Sequence, residues 1–346
     1  MSKNNRRIFA GIVICICLVA VLYFCPKGQI ELESGYRLIM GTFVRVTAIA
    51  QNSSAAARCI ESAFSEIEKV DELLSDYRSD SEISELNRDG FKHAVKVSQS
   101  TYEVLQRSIE FSRLSAGAFD VTVGPLVDLW HQAGEANSLP SDDQMREARS
   151  KVGYEKLILN SKDNTVQFAV EGMRVDLGAI GKGYGVDKAI EAMQNCGAAG
   201  GMVDIGGNIR CFGVPPQGKD SWLIGLQDPG KAVQGPGGGE VLLTLKLTNE
   251  SVSTSGNYQR FVLIKGKRHS HIIDPNKADS AESLSSVTII ADNATDADAL
   301  STAVTVMGAE KGLALIETIP QTEAILISSP PNYEIVKTSS ADKYIK

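Results

Sequence analysis

Three groups of residues in this 346-residue chain have types and spacings suited to phosphate chemistry. The first is Asp176-Leu-Gly-Ala-Ile-Gly-Lys-Gly-Tyr-Gly-Val-Asp187. It runs from an acid that ends a short apolar stretch, through a glycine-rich turn with one lysine, into a helical pattern. Such a turn can aim backbone N–H groups and a cation at an anion. It is not a P-loop, because Gly183 follows Lys182 where a Ser or Thr would hold a metal. Its G-x-x-G-x-G order is not a dinucleotide fingerprint either. The plain structural alternative is a tight strand-to-helix turn that needs unusual dihedrals. Lys182, exposed in a loop that tolerates any residue, tilts the reading toward an anionic ligand.

The second group is Asp298-Ala-Leu-Ser-Thr302. Positions i and i+4 share one helical face, so Asp298 and Thr302 could offer two hard oxygens to Mg²⁺. Against this, Thr295-x-x-Asp298 has the spacing of a capping box. Asp292, Asp296 and Asp298 together suit a cation, or an acidic first turn facing the helix dipole. The third group is Ser251-Val-Ser-Thr-Ser-Gly256 with His271-Ile-Ile-Asp-Pro275. The hydroxyl-rich segment reads as a turn that could hold a phosphate. His271 could be a general base or a histidine satisfied between strands. Two further segments carry weaker signals. In Asp76-Tyr77, ahead of Ser81–Asn87, the tyrosine could stack on an aromatic ligand or lie half-buried at the surface. In Gly117-Ala-Phe-Asp120, Phe119 reads as core and Asp120 as a cap or a ligand. No G-x-S-x-G occurs, and the four histidines lack zinc-type spacing.

These residues need elements to position them. Tyr36–Ala50 reads as strand-like around Met40-Gly-Thr42. Residues 54–74 carry apolar positions at helical spacing. Ser100-x-x-Glu103 could cap a helix running to about Ser115, and Ser141-x-x-Gln144 another that ends near Gly153. Short strand-like runs follow at 156–160, 165–170, 200–205, 209–213, 221–227, 241–247, 259–265 and 285–291. Gln234–Gly239 reads as a hairpin loop. Helices return at 183–195 and 296–318. Strands and helices mix without βαβ alternation, so the fold class is α+β, mostly antiparallel strands with packed helices. No repeat or linker divides the body, taken as residues 36–340.

The N-terminus reads differently. Lys3, Arg6 and Arg7 precede an uncharged run from Ile8 to Cys25. That is the pattern of a secretory signal or membrane anchor whose basic end stays in the cytoplasm. Leu22 three residues before Cys25 suits a lipoprotein cleavage site, although Phe24 stands where a small residue is favoured. Lipoprotein and uncleaved anchor both remain open. Residues 26–35 read as a tether. Without the three N-terminal cations, the 35 basic residues fall to 32 against 42 acidic ones. With no basic stripe, nucleic-acid binding is excluded as a class. Cys59, Cys196 and Cys211 remain in the body, an odd set that does not read as a disulfide framework.

Taken in order, these segments resemble the ApbE family of flavin transferases. The matching pieces are Met40-Gly-Thr42, Asp76-Tyr77 with Ser81–Asn87, Gly117–Asp120, Asp176–Tyr184, Val203-Asp-Ile-Gly-Gly-Asn208, Ser253–Gly256, His271–Pro275 and Asp298–Thr302. The resemblance spans about residues 34–335. It implies an ApbE-like fold related to tunnelling-fold sheets, and FAD as substrate. The implied reaction is Mg²⁺-dependent transfer of FMN to a Thr or Ser hydroxyl of an acceptor protein, releasing AMP. The implied acceptors are flavin-carrying subunits of membrane redox complexes, reached on the periplasmic side of the inner membrane. By position, Met40, Tyr77, Ala118, Phe119, Asp120, Asp176, Lys182 and Ile272 would line the flavin site. Ala179 (through its carbonyl), Asp298 and Thr302 would bind magnesium. Ser301 is left outside that set. His271 and Asp274 are the expected bases, not separable by sequence. Two other functions fit the same pocket: hydrolysis of FAD to FMN and AMP, and FAD binding without chemistry.

Overall fold

In the main sheet the edge strands alternate between more and less buried residues while the inner ones do not, which tells where the layers lie. In the computed structural model, residues 28–216, 218–231, 239–257, 261–330 and 333–346 are described. The N-terminal run and residues 234–238 of the expected hairpin loop fall outside them. The main sheet has nine strands: β1 (Ile30–Glu33), β2 (Arg37–Ile39), β3 (Thr42–Ala50), β4 (Gly200–Ile205), β5 (Asn208–Phe212), β6 (Ser251–Gly256), β7 (Leu284–Ala291), β8 (Glu323–Ser328) and β9 (Ile335–Lys337). All pairs are antiparallel, in the order β1-β3-β4-β5-β6-β7-β8-β9, with β2 beside β1 on the outer edge of β3. The sheet stays open, with β1/β2 at one end and β9 at the other.

Eight helices accompany it among the described residues: α1 (Ser53–Leu74), α2 (Glu82–Asp89), α3 (Gln99–Leu114), α4 (Gly124–Glu135), α5 (Asp142–Ser150), α6 (Gly181–Asn195), α7 (Ala294–Met307) and α8 (Ala309–Ile316). On β3, Val44, Val46, Ala48 and Ala50 face α1 and α6, while Ile49 joins Trp222, Ile224 and Leu245 on the opposite face. That opposite face is covered by a hairpin of Trp222–Gln227 and Val241–Leu247. Every residue of β7 is buried, because helices lie on one side and the hairpin layer on the other. A strand covered on both faces loses the polar alternation of a half-exposed one.

Several expectations change. Residues 30–33, expected in the tether, pair with β3 from Ile30↔Ala50 to Glu33↔Thr47. Their alternating Ile30 and Leu32 give the strand an inward face. Met40 and Gly41 break the expected strand as a two-residue turn, both with positive φ (53° and 64°), which suits the twist of a tight hairpin. The hydroxyl-rich Ser251–Gly256 is a central strand, hydrogen-bonded to β5 and β7. The helix expected at 296–318 is two helices, parted at Gly308 with φ 79°. Ser98, not Ser100, caps α3 by accepting the Thr101 N–H. The Ser141/Gln144 capping box forms as expected.

The cysteine reading is overturned. Cys59 on α1 and Cys196 at the end of α6 form a disulfide, with Cα atoms 5.4 Å apart. Cys211 is the buried free cysteine. The odd count hid one pair, because the pairing depends on α1 packing along α6.

Candidate functional site

The glycine-rich segment delivers α6 against α7. Gly178, Gly181, Gly183 and Gly185 all lie outside the positive-φ region, so the expected need for unusual dihedrals is not their reason. Close approach is. A Cβ on Gly183 would stand 2.2 Å from the Ala294 carbonyl oxygen and 2.8 Å from Asp298 Cβ. Any side chain there would push the two helices apart. Lys182 is likewise not in a loop but in the first turn of α6. Its ammonium lies 2.6 Å from the Gly178 carbonyl and 3.7 Å from Asp298 Oδ2.

Asp298 is 3% exposed. Its Oδ2 accepts the Gly183 N–H at 2.9 Å, joining residues 115 positions apart. It does not complete a capping box with Thr295. Asn293 caps α7 by accepting the Asp296 N–H. Burial holds the Asp298 carboxyl above its ordinary range, against the pull of Lys182 and the Gly183 N–H. A buried carboxylate whose ammonium partner stands beyond hydrogen-bond distance fits a divalent cation well. Thr302 follows on the next turn of α7, half-buried. Ala179 lies in the turn whose Gly178 carbonyl shares the Lys182 ammonium with Asp298. The donors expected for magnesium, the Asp298 carboxylate, the Thr302 hydroxyl and the Ala179 carbonyl, would be hard oxygen throughout, the chemistry Mg²⁺ prefers. Among the described residues no cluster of three or more His, Cys, Asp or Glu side chains could hold a metal, and this set contains only one.

The remaining segments are tied to this centre one by one. Met40 reaches α6, where its Sδ and Cε border Gly185 and Gly181. Asn87 pairs its amide with the Val175 backbone, donating to the carbonyl (2.9 Å) and accepting the N–H (2.7 Å). Residues 121–123 run beside 174–176, through a parallel Val123/Arg174 bridge and the Asp176 N–H donated to Val121 (2.8 Å). Arg174 joins Asp76 (2.7 Å) and Asp128. Burial raises the Asp76 carboxyl, the nearby Asp176 charge adds to the rise, and Arg174 opposes it. Asp176 itself accepts the Gly178 N–H at 2.8 Å, which bends the chain toward α6. Gly117 lies beside the Asn276 amide, which brings the 117–120 segment against the 271–276 segment. The β4–β5 turn lies next to Thr42, and a Cβ on Gly206 would meet Thr42 Oγ1 at 2.4 Å. Beneath α7, Ser253 donates to Asn208 (2.5 Å), and Ser301 bonds Ser255 (2.7 Å) and the Asp298 carbonyl (2.8 Å). Ser301 therefore faces β6.

Not every expected residue points into a cleft. The Phe119 ring is 1% exposed and packs edge-on against Phe111, so its side chain belongs to the core. Ala118 is buried beside it. Asp120 accepts from the Thr122 N–H, the Thr122 hydroxyl and the Tyr154 N–H. It thus ties the 117–122 turn to residue 154. Burial raises its carboxyl while these donors pull it down. Asp274 accepts from the Asn276 and Lys277 N–H groups and from the Lys277 ammonium, so its carboxylate closes its own turn. His271 sits half-buried at the bend between the strands Lys267–Ser270 and Ile273–Asp274. Ile272 is buried and held by Ser270 and Ala281. Tyr77, by contrast, is 89% exposed, just past the end of α1.

The ApbE family profile matches residues 40–326. The chain belongs to the ApbE family. Its relatives in that family include the FAD:protein FMN transferase of Treponema pallidum, 33% identical over 92% of this chain and 90% of that protein. The corresponding Vibrio cholerae protein is 31% identical over 92% and 94%. The crystal structure of the ApbE protein from Thermotoga maritima superposes with a TM-score of 0.80 at 30% identity, covering 92% of this chain and 99% of that one. The flavin transferase ApbE from Vibrio cholerae gives 0.77 at 31% identity, over 91% and 99%. This ApbE chain therefore shares the fold that resemblance implied. Sequence reasoning assigned no role to Asp187, Arg174 or Asn87, although all three carry contacts that build the site. For Asp187 the available signal was its place one turn after Gly183, on the face that meets α7.

Proposed function

We propose that this chain is an FAD:protein FMN transferase, moving FMN from FAD to a Thr or Ser hydroxyl of an acceptor protein and releasing AMP. The observation that carries the reading is the convergence of the α6 N-terminus, Lys182 and buried Asp298 within an ApbE-family chain. The Ala179 carbonyl, Asp298 and Thr302 would hold Mg²⁺. When bound, the ion would offset charge on the diphosphate of FAD.

The chain's own residues account for the rest. The α6 N-terminus has no side-chain cap from its own N-cap residue, Ile180. Its Gly183 N–H is taken by Asp298 and its Gly181 N–H by the Leu177 carbonyl, which leaves the Lys182 ammonium as the fixed positive charge for a diphosphate. Exposed Tyr77 offers a ring face to the isoalloxazine. The acceptor oxygen forms a bond to the FMN phosphorus as the bond to the bridging oxygen breaks. AMP leaves with that electron pair, and in-line alignment supplies much of the rate. The hydroxyl proton passes to a base. Asp274 is committed to its turn and to Lys277, which favours His271 for that role.

Export is part of the proposal. The basic cluster before Ile8–Cys25 suits anchoring in the cytoplasmic membrane, as lipoprotein or uncleaved anchor. The Cys59–Cys196 disulfide suits an oxidising, extracytoplasmic compartment. Acceptors there would be flavin-carrying subunits of membrane redox complexes.

The test mixes purified protein, FAD, Mg²⁺ and such an acceptor domain. A gain of one FMN mass on the acceptor, with one AMP released, supports transfer. Rapid AMP release without acceptor would replace it with FAD hydrolysis. Intact FAD in both mixtures would leave a binding protein.

A further inference from the structure

Helices α6 and α7 meet through two carboxylates that cross in opposite directions. Asp298 of α7 accepts the Gly183 N–H, in the first turn of α6. Asp187 of α6 accepts the Ala294 N–H (2.9 Å) and the Thr295 N–H (2.9 Å), in the first turn of α7. Each helix thus receives at its N-terminus a carboxylate from the other. The first-turn N–H groups of a helix lack intrahelical acceptors, and negative charge there is favourable. Asp187 takes two further donors, the Thr295 hydroxyl (2.5 Å) and the Arg210 guanidinium on β5 (2.7 Å). Four donors converge on one buried carboxylate, while Asp298 receives a single N–H and a more distant ammonium.

We propose that Asp187 is a positioning residue for the divalent-cation site: its grip on the first turn of α7 sets the register that brings Asp298 over Gly183. This rests on the proposed Mg²⁺-dependent transferase. Residues 183 and 187 lie one turn apart on one face of α6, and 294 and 298 one turn apart on α7, so the two contacts fix both rotation and sliding. With no side chain on Gly183, the backbones approach until only this register satisfies both acids. Mutating the groups that orient a metal ligand typically costs about 10–100-fold in metal affinity.

The experiment uses the full chain in detergent and titrates Mg²⁺ alone by calorimetry, with the gain in melting temperature as a second readout. Gly183 amide exchange is followed without metal. Asp187→Asn is expected to weaken Mg²⁺ binding about tenfold or more and to speed Gly183 exchange. Thr295→Val, a gentler change that keeps both N–H groups, is expected to weaken binding by a smaller factor in the same direction. It also carries the test if Asp187→Asn fails to fold. In transfer assays, KM for Mg²⁺ should rise more than kcat falls. A folded Asp187→Asn or Thr295→Val with a lowered melting temperature but wild-type Mg²⁺ affinity and Gly183 exchange overturns the proposal. If wild-type protein binds no Mg²⁺, the transferase reading itself has failed, and the reciprocal caps are structural only.

Discussion

Asp298, the proposed magnesium ligand, weighs against the stability of the metal-free fold. Burial raises its folded-state pKa above the unfolded value. The ionised form therefore costs folding energy, fully so above the folded pKa and not at all below the unfolded one. From this group alone, metal-free protein should gain stability as pH falls through the carboxylate range. Asp298→Asn removes the buried charge and can still accept the Gly183 N–H. Without Mg²⁺ at neutral pH, its melting temperature should equal or exceed that of wild type, while the gain on adding Mg²⁺ disappears. A variant that melts lower, yet still responds to Mg²⁺, would contradict the assignment. His271 makes a kinetic prediction. His271→Ala should slow single-turnover transfer by ~10²–10⁴-fold, the usual contribution of a positioned base, and change FAD affinity far less. Fluorescence titration of FAD against transfer rates separates the two effects.

The pairing of α6 and α7 turns on a missing side chain. Gly183→Ala places a methyl against the Ala294 carbonyl, which has no flexible end to yield. The helices must separate, with a cost of about 1–3 kcal/mol for overpacking, and Asp298 loses its N–H. At Gly185 the nearest atom is Met40 Sδ, 3.3 Å from an added Cβ, and a thioether can shift. Gly185→Ala should therefore be the milder change, and denaturant melts of the two variants check the ranking. The β2–β3 hairpin shows the same economy. Met40 occupies a left-handed backbone position, uncommon outside glycine and concentrated at functional sites. There it places its thioether beside the start of α6.

Across the whole molecule, the long excursion between β3 and β4 is closed at both ends. It begins with α1, returns through α6, and the Cys59–Cys196 disulfide joins the two helices across 137 residues. Cross-linking so long a loop restricts the unfolded chain, and such bonds typically contribute about 2–4 kcal/mol. Reductant, or Cys59→Ser, should lower the denaturant midpoint accordingly. An unchanged midpoint would mean that the bond carries no stability. The site lies where this excursion meets the sheet, so each of its segments comes from a different stretch of chain and is held by a different neighbour.

How much of this the sequence disclosed depends on distance along the chain. Helix α1, strands 200–205 and 241–247, and the Ser141 cap were legible, because periodicity and capping act over a few residues. The ordered set of short segments was enough for the family and the α+β class. Local pattern could not tell that Ser251–Gly256 is a buried strand, since the Ser253, Thr254 and Ser255 hydroxyls find their partners on the distant Asn208, Thr288 and Ser301. Nor could it tell that the glycines of α6 serve close approach, that Asp274 closes its own turn, or that an odd cysteine set conceals a disulfide. Those roles are set by which atoms packing brings within reach. A dihedral preference belongs to a residue and its neighbours, but the partner of Asp298 lies 115 positions away, and only the folded sheet and its helices choose it.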